Sequence, residues 1–200
     1  MSSLELITGC MFSGKSSELI RRLKRFRAIN KKVLVINSTK DTRSPDSVVK
    51  THDNVTFDCV KTTRINDVII MPEYIEADII GIDEAQFFGN LIRFVEYSLA
   101  NGKHLIVAGL DGDYRQRFFG EILCLIPMAN TIDKLSAYCM ECGDGTLAHF
   151  TRRTSGGGNL QELIGAEDVY KAVCRKHLME DRAAETVTNA VITEYIKEIM

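Results

Sequence analysis

Net charge is nearly missing from this chain of 200 residues, in which 25 lysines and arginines face 27 aspartates and glutamates for a formal balance of -2. Such a balance gives no global attraction to nucleic acid or to anionic membranes, so neither is expected as a partner. No apolar run approaches the roughly 20 residues of a membrane span. The N-terminus lacks the charged-then-apolar layout of a secretory signal, and a cytoplasmic protein is expected. Tryptophan is absent, which excludes nothing. Internal repeats, low-complexity tracts and obvious linkers are also missing, which leaves one domain with at most a small appendage. Cysteines stand at 10, 59, 124, 139, 142 and 174, without the look of a disulfide framework. In a reducing compartment the closely spaced ones suggest a metal instead. The hydrophobic share of 45% and charged share of 26% are those of a globular protein with a sizeable core.

Against these absences stands one complete signature, Gly9-Cys10-Met11-Phe12-Ser13-Gly14-Lys15-Ser16, which fits G-x-x-x-x-G-K-[ST]. An apolar run (Leu4, Leu6, Ile7) precedes it and a helical pattern starts near Lys15, the context a phosphate-binding loop requires. Gly9 and Gly14 can adopt backbone angles closed to other residues, so that successive N–H groups turn inward around an anion. The helix that follows adds its positive N-terminal end. Lys15 is expected to reach the β- and γ-phosphates and Ser16 to help hold Mg²⁺. A nucleoside triphosphate is the expected ligand.

Leu19, Ile20, Leu23 and Phe26 recur at helical spacing from Lys15 to Asn30, with Arg21, Arg22, Lys24, Arg25 and Arg27 on the solvated face. Val33 to Ile36 is wholly apolar and reads as a buried parallel strand, which implies a right-handed crossover and an α/β sheet. The polar stretch after it leaves the carboxyl end of that strand, where open α/β sheets bind ligands, so Asp41 and Arg43 are candidates. Val55 to Lys61 reads as a strand and Arg64 to Met71 as a short helix. Ala77 to Ile82 is a further buried strand that ends in Asp83-Glu84. Asp83 is expected to hold Mg²⁺ beside Ser16, which leaves Glu84 free for a second task. Asn90 to Asn101 reads as a helix stopped by Asn101-Gly102, and Leu105 to Ala108 as another buried strand. The glycine-bounded segment Gly109 to Gly120 is charged and aromatic. Its Arg115 and Arg117 either close over phosphates or lie on a static surface.

Cys139-Met140-Glu141-Cys142 is answered downstream by Cys174-Arg175-Lys176-His177. Two matched half-sites supply Cys139, Cys142, Cys174 and His177, a donor set suited to tetrahedral Zn²⁺. With no ligand position left open, the expected role is structural. Such a clip would pin both ends of the polar segment Gly143 to Val173, which includes Gly156-Gly157-Gly158. Met179 to Ile199 reads as a terminal helix. The expected organisation is a nucleotide-binding domain over 1–137, a zinc-binding unit over 138–178 and a C-terminal helix over 179–200.

The chemistry leaves several enzymes and one non-enzyme open. No N-K-x-D motif supports a signalling GTPase. A kinase needs a base beside an acceptor pocket, and Glu84 is a suitable carboxylate. A P-loop phosphotransferase with some other acceptor fits as well. So does a nucleotide-gated module that grips nucleic acid with a zinc knuckle, although the acidic balance speaks against it.

The P-loop octet, Lys40-Asp41-Thr42-Arg43, Thr51-His52-Asp53, Asp83-Glu84-Ala85-Gln86-Phe87-Phe88, Leu110-Asp111-Gly112, Phe119-Gly120, the Cys139–Cys142 knuckle and Tyr170 to Arg175 occur in family order. Together they resemble the type II (cytosolic-type) thymidine kinases over nearly the whole chain. The resemblance implies a P-loop NTPase (RecA-like) α/β fold, a parallel sheet flanked by helices with a small zinc-containing lasso domain. It implies an ATP- and Mg²⁺-dependent kinase that converts thymidine to its 5′-monophosphate, with Glu84 as general base. Gly9, Met11, Phe12, Ser13, Gly14, Lys15, Ser16 and Ser17 would bind the donor, with Asp83, Gln86, Asp41 and Arg43. Met11, Phe87, Leu110, Tyr114, Phe119, Thr151 and Tyr170 would line the acceptor pocket, under a lasso spanning about Thr151 to Tyr170. A homotetramer with feedback from thymidine triphosphate (dTTP) is implied too. The chain departs from the family pattern at Cys10 (commonly proline), Ser17 (threonine), Tyr114 (phenylalanine) and His177 (often cysteine). The tract from Gly143 to Ala148 is about two residues longer.

Overall fold

The computed structural model describes residues 2–41, 48–50, 56–154, 161 and 169–180. Strand β1 (Ser3–Gly9) feeds the glycine loop and helix α1 (Lys15–Ala28). Then come β2 (Val33–Ser38), the short strands β3 (Val48–Lys50), β4 (Thr56–Asp58) and β5 (Val60–Thr62), and a 3₁₀ segment Ile65–Ile70. Helix α2 (Pro72–Glu76), β6 (Ile79–Ile82), a 3₁₀ turn Ala85–Phe87, α3 (Leu91–Ala100) and β7 (His104–Leu110) follow. A 3₁₀ segment Ile122–Met128 leads to β8 (Thr131–Leu135).

Six strands form the main sheet in the order β5-β2-β6-β7-β1-β8, every pair parallel. Both faces of the central strands β2, β6, β7 and β1 are covered, so these strands are apolar on both sides and alternate between two cores. Leu4, Leu6, Ile80, Ile82, Leu105 and Val107 face α2, α3 and the 3₁₀ segments. Ile7, Val35, Ile79, Ile106 and Ala108 face α1 through Leu19, Ile20 and Leu23. Burial of each such aliphatic side chain stabilises the fold by about 1.5–3 kcal/mol. Helix α1 lies so close to β6 that a Cβ on Gly81 would come within 2.6 Å of the Leu23 Cδ1 atom. Glu18 in its first turn and Arg25 and Arg27 in its last match the helix dipole. Its basic face is a surface network in which Arg22 pairs with Glu5, Glu18 and Asp133.

The crossover from β1 through α1 to β2 passes two strands, so the loops at the carboxyl edge of β1, β2, β6 and β7 converge. Ligands sit at such an edge in open parallel sheets. One strand, β7, separates the glycine-loop strand β1 from the acid-tipped β6. The expected strand Val55 to Lys61 is two pieces broken at Cys59, because β5 joins the main sheet while β4 pairs antiparallel with β3. Arg64 to Met71 is helical but of the tighter 3₁₀ kind.

A smaller unit follows β8. Its hairpins are β9 (Ala137–Tyr138) with β10 (Leu147–Ala148), and β11 (Phe150–Arg153) with β12 (Tyr170–Val173). Residues 175–180 then form a helix, while the rest of the terminal helix expected over Met179 to Ile199 lies outside the described residues. Ala137, Cys139, Ala148, Ala172, Val173, Cys174 and Leu178 share a core with Cys10 of the glycine loop, so the two units are packed into each other at that loop. Among the described residues no helix is long and apolar enough to cross a membrane.

Candidate active site and metal centre

The glycine loop has the backbone its sequence demands. Gly9 takes φ +145, where a Cβ would overlap the Leu135 carbonyl oxygen and stand 2.9 Å from the Ser13 hydroxyl. Phe12 (φ 64) and Gly14 (φ 80) take left-handed angles that bend the chain into the first turn of α1. Ser13 and Lys15 are buried, and both donate to the Cys10 carbonyl, at 2.8 and 2.6 Å. Ser16 and Ser17 sit half-buried in the first helical turn. The N–H groups of this loop and first turn, with the Lys15 ammonium, are of the kind that suits an anion at the carboxyl edge of the sheet.

Strand β6 delivers two adjacent carboxylates to the same edge. Asp83 is buried at 2% exposure, and its amide donates to Ile36 of β2. Glu84 is half-buried and holds φ 49, ψ 41, a left-handed conformation that costs a non-glycine residue about 1–2 kcal/mol. Gln86 fixes it: its amide donates to Glu84 Oε2 at 2.6 Å, and its Oε1 accepts the Leu110 N–H at 3.0 Å. Gln86 itself is locked from behind by Gly109 and Gly120, at which any Cβ would collide with it.

From β2 the structure brings in Asp41, buried at 5% exposure. Asn37, fully buried, donates to Asp41 Oδ2 at 3.0 Å, while Lys61 donates to the Asp41 carbonyl at 2.8 Å. Arg43 lies outside the described residues. Neither Asn37 nor Lys61 announces itself in the sequence. An amide at the end of an apolar run is the one available signal for Asn37.

The expected acceptor residues fall into two groups, or walls, one at the ends of β6 and β7 and one on β11 and β12. On one side Phe87 meets Phe119 edge to face, 5.5 Å between ring centres, and Leu110 is held by Gln86. Tyr114 lies in the segment after β7, a turn organised by the buried Asp113, whose Oδ1 accepts the N–H groups of Arg115 and Arg117. On the other side stand the buried Thr151 and Tyr170. The Thr151 hydroxyl accepts the Met11 N–H at 3.0 Å, which joins the lasso directly to the glycine loop. Arg153 and Gln161, which no sequence motif flags, bridge the walls. Arg153 stacks on Tyr114 and donates to the Tyr170 hydroxyl, and Gln161 donates to Asp113 and to the Phe118 carbonyl.

The four expected metal ligands converge. Cys139, Cys142 and Cys174 Sγ and His177 Nδ1 all lie within 4.8 Å of one another. The ring nitrogen is 3.5, 3.4 and 3.4 Å from the three sulfurs, and Cys142 is 3.9 Å from Cys174. A tetrahedral Zn²⁺ with bonds of about 2.3 Å to sulfur and about 2.0 Å to nitrogen gives edges of about 3.8 and 3.5 Å. The donor set fits zinc. Burial pushes the Cys139 thiol up, but N–H groups of Cys174, Cys142 and Glu141 aimed at its sulfur outweigh that and bring it down to about 6. Burial and its neighbouring sulfurs push Cys142 to about 11. Three sulfurs this close can all ionise only with a cation between them.

A thymidine kinase family model matches residues 2–178. Thymidine kinase a of Arabidopsis thaliana is 41% identical over 99% of this chain and 80% of its own length. The thymidine kinase of Myxoma virus (strain Uriarra) is 44% identical over 86% of this chain and 94% of its own. The cytosolic thymidine kinase of Cricetulus griseus is 44% identical over 86% and 71%. A family match that starts just before β1 and ends just beyond His177 takes in the glycine loop, the carboxylates after β6, the residues around Arg153 and the sulfur cluster, and by it the chain belongs to the thymidine kinase family.

Proposed function

We propose that this protein transfers the γ-phosphoryl group of ATP to the 5′-hydroxyl of thymidine, with deoxyuridine as a side substrate and Glu84 as the general base. The observation that carries the reading is the position of Glu84. It is turned out of its strand, one residue beyond buried Asp83, and tied through Gln86 to the amide of Leu110. A carboxylate held there, at the same carboxyl edge as the glycine loop, supports its reading as the base that serves an acceptor hydroxyl.

The cradle of N–H groups from Phe12 to Ser17 and the Lys15 ammonium bind and align the β- and γ-phosphates. Ser16 and Asp83 present oxygen donors suited to Mg²⁺, which when bound would neutralise charge on those phosphates. Phe87, Phe119, Leu110 and Met11 on one side, and Thr151 and Tyr170 on the other, exclude water and hold the base and sugar. Main-chain groups of the lasso would pair with the edge of the thymine. Glu84 accepts the proton of the 5′-hydroxyl as that oxygen bonds to the γ-phosphorus. The bond from phosphorus to the β,γ-bridging oxygen breaks, and ADP leaves with the electron pair. Asp41, steadied by Asn37 and Lys61, and Arg43 act near the reacting phosphates.

Incubation of the protein with ATP, Mg²⁺ and a panel of nucleosides should yield mainly the monophosphate of thymidine. Glu84→Gln should keep ATP binding and lose turnover by about 100-fold or more. Normal turnover in that variant sinks the base assignment, and preference for an unrelated acceptor sinks the substrate. Zinc in the Cys139, Cys142, Cys174 and His177 cluster is read as structural, and elemental analysis should give one zinc per chain. Family membership also supports a cytoplasmic location, a homotetramer and feedback by dTTP, whose thymine would enter the acceptor pocket while its phosphates enter the cradle. Light scattering and inhibition by dTTP competitive with thymidine are the checks.

A further inference from the structure

Arg153 sits on β11 directly opposite Tyr170 of β12. Its guanidinium carbon lies 3.9 Å from the centre of the Tyr114 ring and 5.4 Å from that of Tyr170. The same group donates through Nη2 to the Tyr170 hydroxyl at 2.9 Å and to the Gln161 carbonyl at 3.3 Å. Tyr114 belongs to the large domain and Tyr170 to the small one, so one side chain spans the cleft between them. A guanidinium suits the task because it is planar, stacking by its face while it hydrogen-bonds by its edge. An ammonium in its place is a point charge with no face to stack. Gln161 reinforces the bridge further out, since its amide donates at 2.9 Å both to Asp113 Oδ2 and to the Phe118 carbonyl.

We infer that Arg153 is a positioning residue for the acceptor nucleoside. It holds Tyr114 and Tyr170 at a fixed spacing, so that the base and sugar enter a wall formed in advance, and it acts through those rings without touching the reacting atoms. The inference rests on the assignment of the acceptor pocket to these two walls. Its energetic content is preorganisation: if the rings must be ordered at the moment of binding, the cost appears in the acceptor KM. These Arg153 contacts are to acceptor-side residues, so the ATP KM should change far less.

The test uses Arg153→Lys, which keeps the charge and loses the plane, and Arg153→Met, which loses both. Tyr114→Leu and the double variant Arg153→Met/Tyr114→Leu complete a cycle. Steady-state kinetics are run with whichever nucleoside the wild type phosphorylates best. Both Arg153 variants should raise the acceptor KM about tenfold. The ATP KM and the zinc content should stay at wild-type values, and turnover at saturating acceptor should fall far less than the KM rises. Tyr114→Leu should raise the acceptor KM similarly, and adding Arg153→Met to it should have little further effect. Three results would each overturn the inference: wild-type kinetics in Arg153→Lys, parallel rises in both KM values, or fold-changes that simply multiply in the double variant. A wild type that prefers an acceptor other than thymidine, with the split intact, would remove the thymidine reading and leave the role of Arg153 standing.

Discussion

Gly120→Ala is the perturbation whose magnitude the structure specifies most directly. Gly120 has φ +63, and an alanine held in that region costs about 1 kcal/mol. An added Cβ would also overlap the carbonyl oxygen of Gln86 and stand 2.9 Å from its carbonyl carbon and 3.1 Å from its Cα. These are backbone atoms, so no side-chain rotation relieves the contact, and overpacking of that kind costs about 1–3 kcal/mol more. The expected loss of stability is therefore about 2–4 kcal/mol. Gly102 supplies the control, since it has φ +76 with nothing within 4 Å of an added Cβ. Gly102→Ala should cost only the left-handed share, about 1 kcal/mol, by urea unfolding. The two variants should separate further in activity. Gln86 orients Glu84 and Leu110 through its side chain, so a shift of its backbone should lower turnover by at least about tenfold in Gly120→Ala, while Gly102→Ala turns over normally. Equal destabilisation in the two variants, or wild-type turnover in Gly120→Ala, would refute the reasoning.

Two further outcomes follow from clusters away from the reacting atoms. Cys174→Ala should lose the bound zinc and drop the thermal midpoint sharply, because the metal closes the segment between the two half-sites; a variant with full zinc content and an unchanged midpoint would count against the structural role. In the surface network, Arg21 and then Arg22 donate to Glu18 and hold its carboxyl near 2, well below its ordinary 4.5. A depressed carboxylate contributes stability in full above its unfolded value and loses it as pH falls through the folded one. Arg22→Met should thus cost about 1 kcal/mol at neutral pH, a figure reduced for solvent screening and for the Arg21 contact that survives. The gap from wild type should close as pH falls from 4.5 towards 2, and a gap that widened with acid would reverse the assignment.

What could be read from the chain was whatever its neighbours in sequence decide. Leu4 to Ser16 spells strand, loop and helix because the apolar run, the two glycines and the helical spacing are contiguous. The runs at Val33, Ile79 and Leu105 are apolar on both faces, which only a covered parallel sheet explains. The zinc-fitting half-sites were legible because each is a local turn, although 32 residues separate Cys142 from Cys174. Strand β8 was not, since Thr-Ile-Asp-Lys-Leu is an exposed edge with little core to reveal it. Strand β5 was legible only as the tail of one longer strand, Val55 to Lys61, because the break at Cys59 depends on β2 supplying a partner. The residues that hold the site together were the hardest to find. Asn37, Arg153 and Gln161 act on Asp41, Tyr114 and Asp113, partners that only the folded chain brings near, and no periodicity records such pairs.

One consequence of the fold reaches beyond any single residue. Gly9 lies against the Leu135 carbonyl, the Cys10 thiol donates to the Ala148 carbonyl at 3.4 Å, and the Met11 amide donates to Thr151. Three successive residues of the donor loop are thus each seated on the polypeptide that leads into or forms the small unit. Cys10 goes further and is buried in the same core as Cys139 and Cys174. The small unit is therefore not a lid hung from the domain edge: the core that the sulfur cluster organises is also the bed on which the phosphate loop rests. Loosening of that cluster should reach the donor loop through Cys10 and the acceptor wall through Thr151 at once. Arg153, whose contacts to Tyr114, Tyr170 and Gln161 lie on the proposed acceptor side, should in contrast act on one substrate more than the other. That difference in connectivity is why metal loss should damage both halves of the site while the Arg153 variants split them.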